Sequence, residues 1–263
     1  METRKEYDLA FSLGQACACS LALRKARMQF ASFPFDWIAG ETLPHRVDLL
    51  LRRFDHWLEK EDFEYKGKNH INGLGRFFNK RTGLNHLHDF VDGPIEQSYD
   101  QVVAKYARRE KRLFELMEKS RRVLLVYINL TRADNRQIPS LEDVVKARAD
   151  IAAAFPNAAF DFMHFIFDKD IPYDKRVVTC PAEGVTEVRF DYHNDITDVG
   201  QSAVDALVSL GITVRDYRTN AERNAYRLKK KMNKYQVDTR MELFVAKMKE
   251  RFGSIFSRTK ERK

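Results

Sequence analysis

Hydrophobic positions along this chain alternate between short continuous runs and longer stretches of helical period. Strand-like apolar runs fall at residues 7–13, 122–129, 158–167, 187–190 and 212–214. Between most of them, apolar residues recur every three or four positions, which predicts helices over 16–28, 44–59, 95–119 and 140–154. Ser140 is the natural N-cap of the last of these, with Asp143 in its first turn and Pro156 just beyond its end. A further helix is predicted over 199–210, capped by Asp198 and stopped at Gly211. Strand and helix in alternation predict an α/β fold, a mostly parallel sheet flanked by helices.

Regular periodicity fails between residues 61 and 94, a segment dense in Gly, Asn, His and aromatic residues. It reads as an irregular insertion, and its aromatic content predicts an ordered one. No solenoid repeat and no low-complexity tract interrupts the chain. The 263 residues, 44% hydrophobic, suffice for one large core or for a domain with an appendage.

Charge sharpens that division. The net charge of +8 belongs to the end of the chain, because residues 221–263 hold 14 basic and 5 acidic residues, leaving 32 and 33 in the first 220. An α/β body over 1–220 and a basic helical extension over 221–263 are the expected domains. The body carries no nucleic-acid signature of charge. In the extension, Leu228, Met232, Tyr235, Met241, Phe244, Met248, Phe252 and Ile255 recur at helical spacing against a basic face. That is the pattern of an amphipathic helix docked on its own domain, or of one that meets an anionic surface or a protein partner. The N-terminus has no apolar signal core and no run approaches a membrane span, so a soluble cytoplasmic protein is expected. Three cysteines, Cys17, Cys19 and Cys180, form neither an even disulfide framework nor a Cys-x-x-Cys pair.

Cys17 stands where the first strand-like run breaks at Gly14 and a helix should begin. Unpaired N–H groups and the positive end of a helix dipole favour thiolate there, which makes Cys17 the first candidate nucleophile. The alternative is a small buried hydrophobe that only packs.

Ser12-Leu13-Gly14-x-x-Cys17, Ser32-x-Pro34-Phe35-Asp36-Trp37, His88-Asp89-Phe90, Tyr106-x-Arg108-Arg109-x-x-Arg112-Leu113 and Val123-Leu124-Leu125-Val126 occur in that order. As a set they resemble a bacterial family called the putative papain-like cysteine peptidases, over about residues 7–130. The resemblance implies a Cys–His hydrolase or acyl-transfer site, with Cys17 as nucleophile and His88 as base. Cysteine before histidine is the papain order, although the Cys-Gly-Ser-Cys-Trp signature is absent.

In such a site the thiolate attacks a carbonyl, the imidazole takes and returns the proton, and a third polar group fixes the tautomer. His86 competes with His88 for the base. Asp89, Asn129 and Asp191 are the candidates for the third group, and backbone N–H groups at Cys17 and the preceding turn for the oxyanion donors. Phe35 and Trp37 are expected to be largely buried, walling the site or the core, while Asp36 caps a turn or pairs with an arginine. Arg108 and Arg112 share a helix face that could grip a carboxylate or phosphate of the substrate. His86-x-His88-Asp89 fits known zinc spacings poorly, so neither metal nor cofactor is expected. The competing function is a non-catalytic or nucleotide-sugar-handling α/β module of surface-polysaccharide pathways, in which Cys17 packs and the arginines hold phosphate. No Gly-rich phosphate loop supports it.

Overall fold

A computed structural model describes residues 5–15, 17–129, 138–172, 175–191 and 196–228, with 196–200 described as backbone only. The chain divides into two units, 1–217 and 218–263. In the first, strand β1 (Glu6–Tyr7) is followed by β2 (Leu9–Ser12), α1 (Cys17–Lys25), a 3-10 turn at Pro34–Trp37, β3 (Ile38–Ala39) and α2 (Leu43–Leu51). Then come β4 (Phe63–Lys68), β5 (Gly75–Asn79), β6 (Asn85–Phe90), α3 (Tyr99–Lys119), β7 (Arg122–Ile128), α4 (Leu141–Ala154), β8 (Ala159–Phe167), β9 (Val177–Ala182), β10 (Val185–Phe190), α5 (Ile196–Ser209) and β11 (Thr213–Val214).

The α/β expectation holds. The principal sheet runs β2-β7-β8-β10-β9, parallel throughout except for the edge strand β9, and β1 pairs separately with β11. Six of the seven residues of β7 are buried, as a central parallel strand covered on both faces requires. One face packs Phe11, Leu125, Tyr127, Phe160 and Phe162 against Val47 of α2 and Val144 and Ile151 of α4. The other packs Ala10, Val126, Met163 and Phe165 against Ala22 and Leu23 of α1 and Ala203 and Leu207 of α5.

The segment read as an irregular insertion instead supplies β4, β5 and β6, which with β3 form an antiparallel sheet in the order β3-β6-β5-β4. Register shifts between Tyr65 and Lys68 and between Gly75 and Phe77 break the two-residue alternation that would have announced it. Other boundaries shift for local reasons. The run at 7–13 divides at Asp8, whose Oδ2 accepts hydrogen bonds from the backbone N–H groups of Arg121 and Arg122. The helix expected over 44–59 stops at Leu51, because Arg53, Phe54 and His56 take left-handed backbone conformations that turn Phe54 and Trp57 into the core. Helix α3 starts at Tyr99, after a 3-10 turn at Ile95–Gln97. Helix α4 keeps its predicted cap, with Ser140 Oγ accepting from Asp143 N at 3.1 Å. Helix α5 begins at Ile196, which puts Asp198 inside it rather than at its cap. Strand β9 was not anticipated; Pro181 and exposed Val177 and Val178 mark it as an edge.

Two features fix the turn that leads from β2 into α1. A Cβ on Gly14 would lie 2.8 Å from Cys19 Cβ and 3.3 Å from Ile128 N, so only glycine lets the helix approach the end of β7 this closely. Arg46 of α2 is wholly buried; its guanidinium donates to Gly40 O at 2.7 Å, Ile38 O at 3.2 Å and Leu13 O at 3.4 Å. Gly40 N in turn donates to Gln15 O at 3.1 Å.

In the second unit, a helix starts at residue 220 and runs to 228 within the described residues. Thr219 Oγ1 accepts from Glu222 N and Glu222 Oε2 accepts from Thr219 N, a reciprocal cap. The apolar stripe from Met232 to Ile255 lies outside the described residues. Among those described, no helix is long and apolar enough to cross a membrane.

Replacing Arg46 by Met removes the donor shared by three buried carbonyls and is expected to destabilise the protein by about 2–4 kcal/mol. Urea unfolding checks this as a lowered midpoint with an unchanged slope.

Candidate functional site

Cys17 is the first residue of α1, at the C-terminal end of β2, and is half-buried. Ser20, one turn on, joins it to the 3-10 turn: Ser20 Oγ lies 3.1 Å from Cys17 O and 2.9 Å from Asp36 O. Trp37 follows Asp36, half-buried, with the Arg24 guanidinium 5.7 Å from its ring centroid on one side. On the other side His88 meets it edge-on at 5.9 Å between centroids. Helix α1, which begins at Cys17, and strand β6, which carries His88, thus both pack against the 3-10 turn that ends at Trp37.

The turn itself is locked by Asp36. Its side chain is fully buried, and Oδ2 accepts from Gln29 Nε2 at 2.6 Å, Phe33 N at 2.9 Å and Arg24 Nη2 at 3.2 Å. Burial pushes its carboxyl above the usual carboxylate range, against the pull of Arg24. Asp36 thus both caps the turn and pairs with an arginine. Phe35 is buried as expected, while Trp37 is only half-covered.

His88 lies on β6 rather than on a loop, and its ring is exposed. Asn72, in the β4–β5 connection, holds its Nδ1 at 3.0 Å. Asn72 Oδ1 accepts from Leu74 N, which leaves Nδ2 to donate to both Leu87 O and His88 Nδ1. Neutral His88 then carries its proton on Nε2. Among the described residues no histidine hydrogen-bonds Cys17 Sγ, and burial pushes the Cys17 thiol above its ordinary value despite its place at a helix start. Desolvation outweighs the backbone N–H hydrogen bond that favours thiolate at Cys17.

His86 and Asp89 form a different cluster. His86 is wholly buried among the rings of Trp57, Phe63, Phe90 and Tyr106, its Nδ1 3.0 Å from Asp89 Oδ2. Asp89 Oδ2 also accepts from Tyr106 Oη at 2.7 Å and Oδ1 from Lys105 Nζ at 2.6 Å. Burial raises the Asp89 carboxyl, but the hydrogen bond to His86 and the nearby charge of Lys105 outweigh it and hold the group well below the usual carboxylate range. Asp89 therefore fastens His86 and α3, and is not bonded to its neighbour His88.

The arginine pair does not act as a unit. Arg112 Nη1 donates to Ser32 O at 3.0 Å, whereas Arg108 points into solvent. Asn129 and Asp191 directly follow the inner strands β7 and β10; Asn129 is buried, next to Ile128, whose backbone N lies 3.3 Å from a Cβ placed on Gly14, and so sits beside the turn that leads to Cys17, whereas Asp191 lies two strands further along the sheet. Among the described residues no group of three or more His, Cys, Asp or Glu could hold a metal ion. The residues that sequence reasoning passed over are Arg46 and Asn72, and Tyr106 entered only as part of a motif, without a role. Arg46 had a signal, since it falls on the apolar stripe Leu43–Val47–Leu50; Asn72-Gly73 had one as a hairpin dipeptide, with Gly73 at φ +74°.

Residues 8–167 match the family described as "Putative papain-like cysteine peptidase (DUF1796)". The chain is similar to "Uncharacterized protein R408" of Acanthamoeba polyphaga mimivirus, 22% identical over 134 residues that make up 45% of this chain and 60% of that protein. The chain thus spans about three fifths of the length of this curated relative. No solved structure matches.

Two outcomes follow from the electrostatics. Alkylation of Cys17 by iodoacetamide, read by mass spectrometry, should be slow near pH 6 and keep rising beyond about pH 9, because the raised thiol yields thiolate only above the free-cysteine range. A depressed carboxylate stabilises the fold above its unfolded pKa and loses that contribution as pH falls, so wild-type stability should drop below about pH 4. Asp89→Asn should be less stable at pH 7 by about 3 kcal/mol and show a shallower acid limb in chemical denaturation.

Proposed function

We propose that this chain, which belongs to the putative papain-like cysteine peptidase family, is a cysteine-dependent hydrolase or acyltransferase that opens an amide or ester through Cys17. The observation that supports the reading is a half-buried cysteine at a helix start, tied through Ser20 to the 3-10 turn whose Trp37 ring meets a strand-borne, asparagine-held histidine. Cys17 Sγ attacks the substrate carbonyl carbon and forms the acyl-enzyme bond. The thiol proton passes to His88 and then to the departing amine or alcohol, and water or an acceptor nucleophile releases the acyl group as the Sγ–C bond breaks. The backbone N–H groups that open α1 face the oxygen that becomes negative.

At rest this machinery is held back. The Cys17 proton is retained by burial, and His88 Nδ1 is occupied by Asn72. For His88 to accept a proton, substrate binding must release Nδ1 from Asn72 or exchange the ring proton between nitrogens. The raised thiol also suits the competing reading in one respect, a Cys17 that only packs.

An activated ester separates the two. With p-nitrophenyl acetate, wild-type protein should release a burst of nitrophenolate and carry an acetyl group on Cys17 by mass spectrometry. Cys17→Ala should show neither, and His88→Ala should slow the burst by about 10²–10⁴-fold with the thermal melt unchanged. Equal nitrophenolate release by wild type and Cys17→Ala would leave the packing role standing.

A further inference from the structure

The face of the principal sheet that packs against α1 and α5 is hollow toward its edge strand. Leu124 of β7 and Asp161 of β8 are register partners there, as are Met163 of β8 and Thr186 of β10, and Cys180 of β9 extends the row, its Sγ 3.9 Å from Thr186 Oγ1. Helix α5 ends at Ser209; Gly211, at φ +63°, turns the chain toward β11, and Leu210 and Ile212 close one side. The result is a cavity of about 300 Å³. Proteins hold organic ligands in spaces of roughly 300–1,000 Å³, so this one suits a small molecule. Leu124 and Asp161 stand near the N-terminal ends of their strands, whereas Cys17 follows the C-terminal end of β2, so the cavity is separate from the candidate site.

The free charge of its lining has one sign. Asp161 Oδ2 is already matched, accepting from Tyr7 Oη at 2.6 Å and from Arg122 Nη2 at 3.4 Å. Lys5, which also lines the cavity and is exposed, has no partner for its ammonium among the described residues. The buried side chains of Leu124, Met163 and Ile212 offer no hydrogen bond, so water against them lacks the about two to four polar partners that hold a water in place.

We propose that this cavity binds a small aliphatic carboxylic acid of about the size of octanoate, its hydrocarbon chain over Leu124, Met163 and Ile212 and its carboxylate paired with the Lys5 ammonium at the exposed rim. One unpaired cation matches a monoanion. A phosphate would bring a second charge without a partner, and an alkylammonium would face Lys5 with like charge.

The test titrates the full chain at neutral pH with sodium octanoate, sodium hexanoate and 1-octanol by calorimetry, and follows alkylation of Cys180 by iodoacetamide with mass spectrometry. Octanoate should bind about tenfold tighter than hexanoate, since each buried methylene is worth about fourfold. It should bind about two- to fivefold tighter than octanol, the scale of one exposed ion pair. Lys5→Met should remove the preference for octanoate over octanol and Lys5→Glu should reverse it, with octanol bound as by wild type. Octanoate should slow alkylation of Cys180 in proportion to occupancy and leave that of Cys17 unchanged. No binding, equal binding of octanoate and hexanoate, or binding that leaves Cys180 as reactive as before overturns the proposal. A preference for octanoate over octanol that survives Lys5→Glu overturns it too, because the ion pair then belongs to another cation.

Discussion

A buried guanidinium with no carboxylate in its hydrogen-bond shell sets the frame of this molecule. Burial lowers Arg46 to about 10, yet it stays charged at neutral pH because three carbonyl dipoles and the face of Phe35, 5.2 Å away, surround it. Such a group tolerates little displacement. Slipping α2 by one residue would leave a cation against hydrocarbon and three carbonyls without donors, each a cost of about 1–3 kcal/mol. The three carbonyls belong to Leu13, where β2 leaves the parallel sheet, to Ile38, which begins β3 in the antiparallel one, and to Gly40, which follows it. Arg46 therefore sets the position of Cys17, four residues beyond Leu13, against the sheet that carries His88.

Two buried carboxylates finish what Arg46 begins. Asp36 gathers Arg24, Gln29 and Phe33 N, so α1 and the 3-10 turn cannot separate without exposing an unpaired charge. Asp89 gathers His86, Lys105 and Tyr106, so β6 and α3 are bound in the same manner. The contrast in their titration follows from their partners. Asp36 has one cation bonded to it and is pushed up by burial; Asp89 has an ammonium, a phenol and an imidazole and is pulled down. Polar clusters of this kind define one arrangement of the elements, where an apolar seam would allow several.

The parallel sheet was legible because its strands are buried on both faces and so read as unbroken apolar runs; β7 and β8 sit within a residue of their expected limits. The antiparallel sheet was not, since bulges at 65–68 and 75–77 scramble the alternation and its polar face carries Glu64, Lys66 and Arg76. Cys17 at a helix start and Asp36 in its turn were readable from spacing and residue type. Their electrostatics were not: the direction of the Cys17 shift depends on how much chain covers it, a quantity that periodicity does not contain. The partition of His86 and Asp89 into one cluster and His88 into another likewise depends on the strand bend that separates neighbours along β6, and the basic extension beyond residue 228 lies outside the described residues.

The resting chemistry of the site follows from these placements. A thiol raised by burial presents little thiolate, and thiolate is the form that oxidants attack. A histidine whose Nδ1 already accepts from Asn72 has no free lone pair for that thiol's proton. Burial thus holds the proton on Cys17, and Asn72 occupies His88 Nδ1. The Asn72 bond is exposed and easily exchanged for one to water or substrate, whereas the Asp36 and Asp89 bonds beneath it are not. The Asn72 bond is thus the outermost one of the site, and substrate can replace it while the buried bonds of Asp36 and Asp89 stay made.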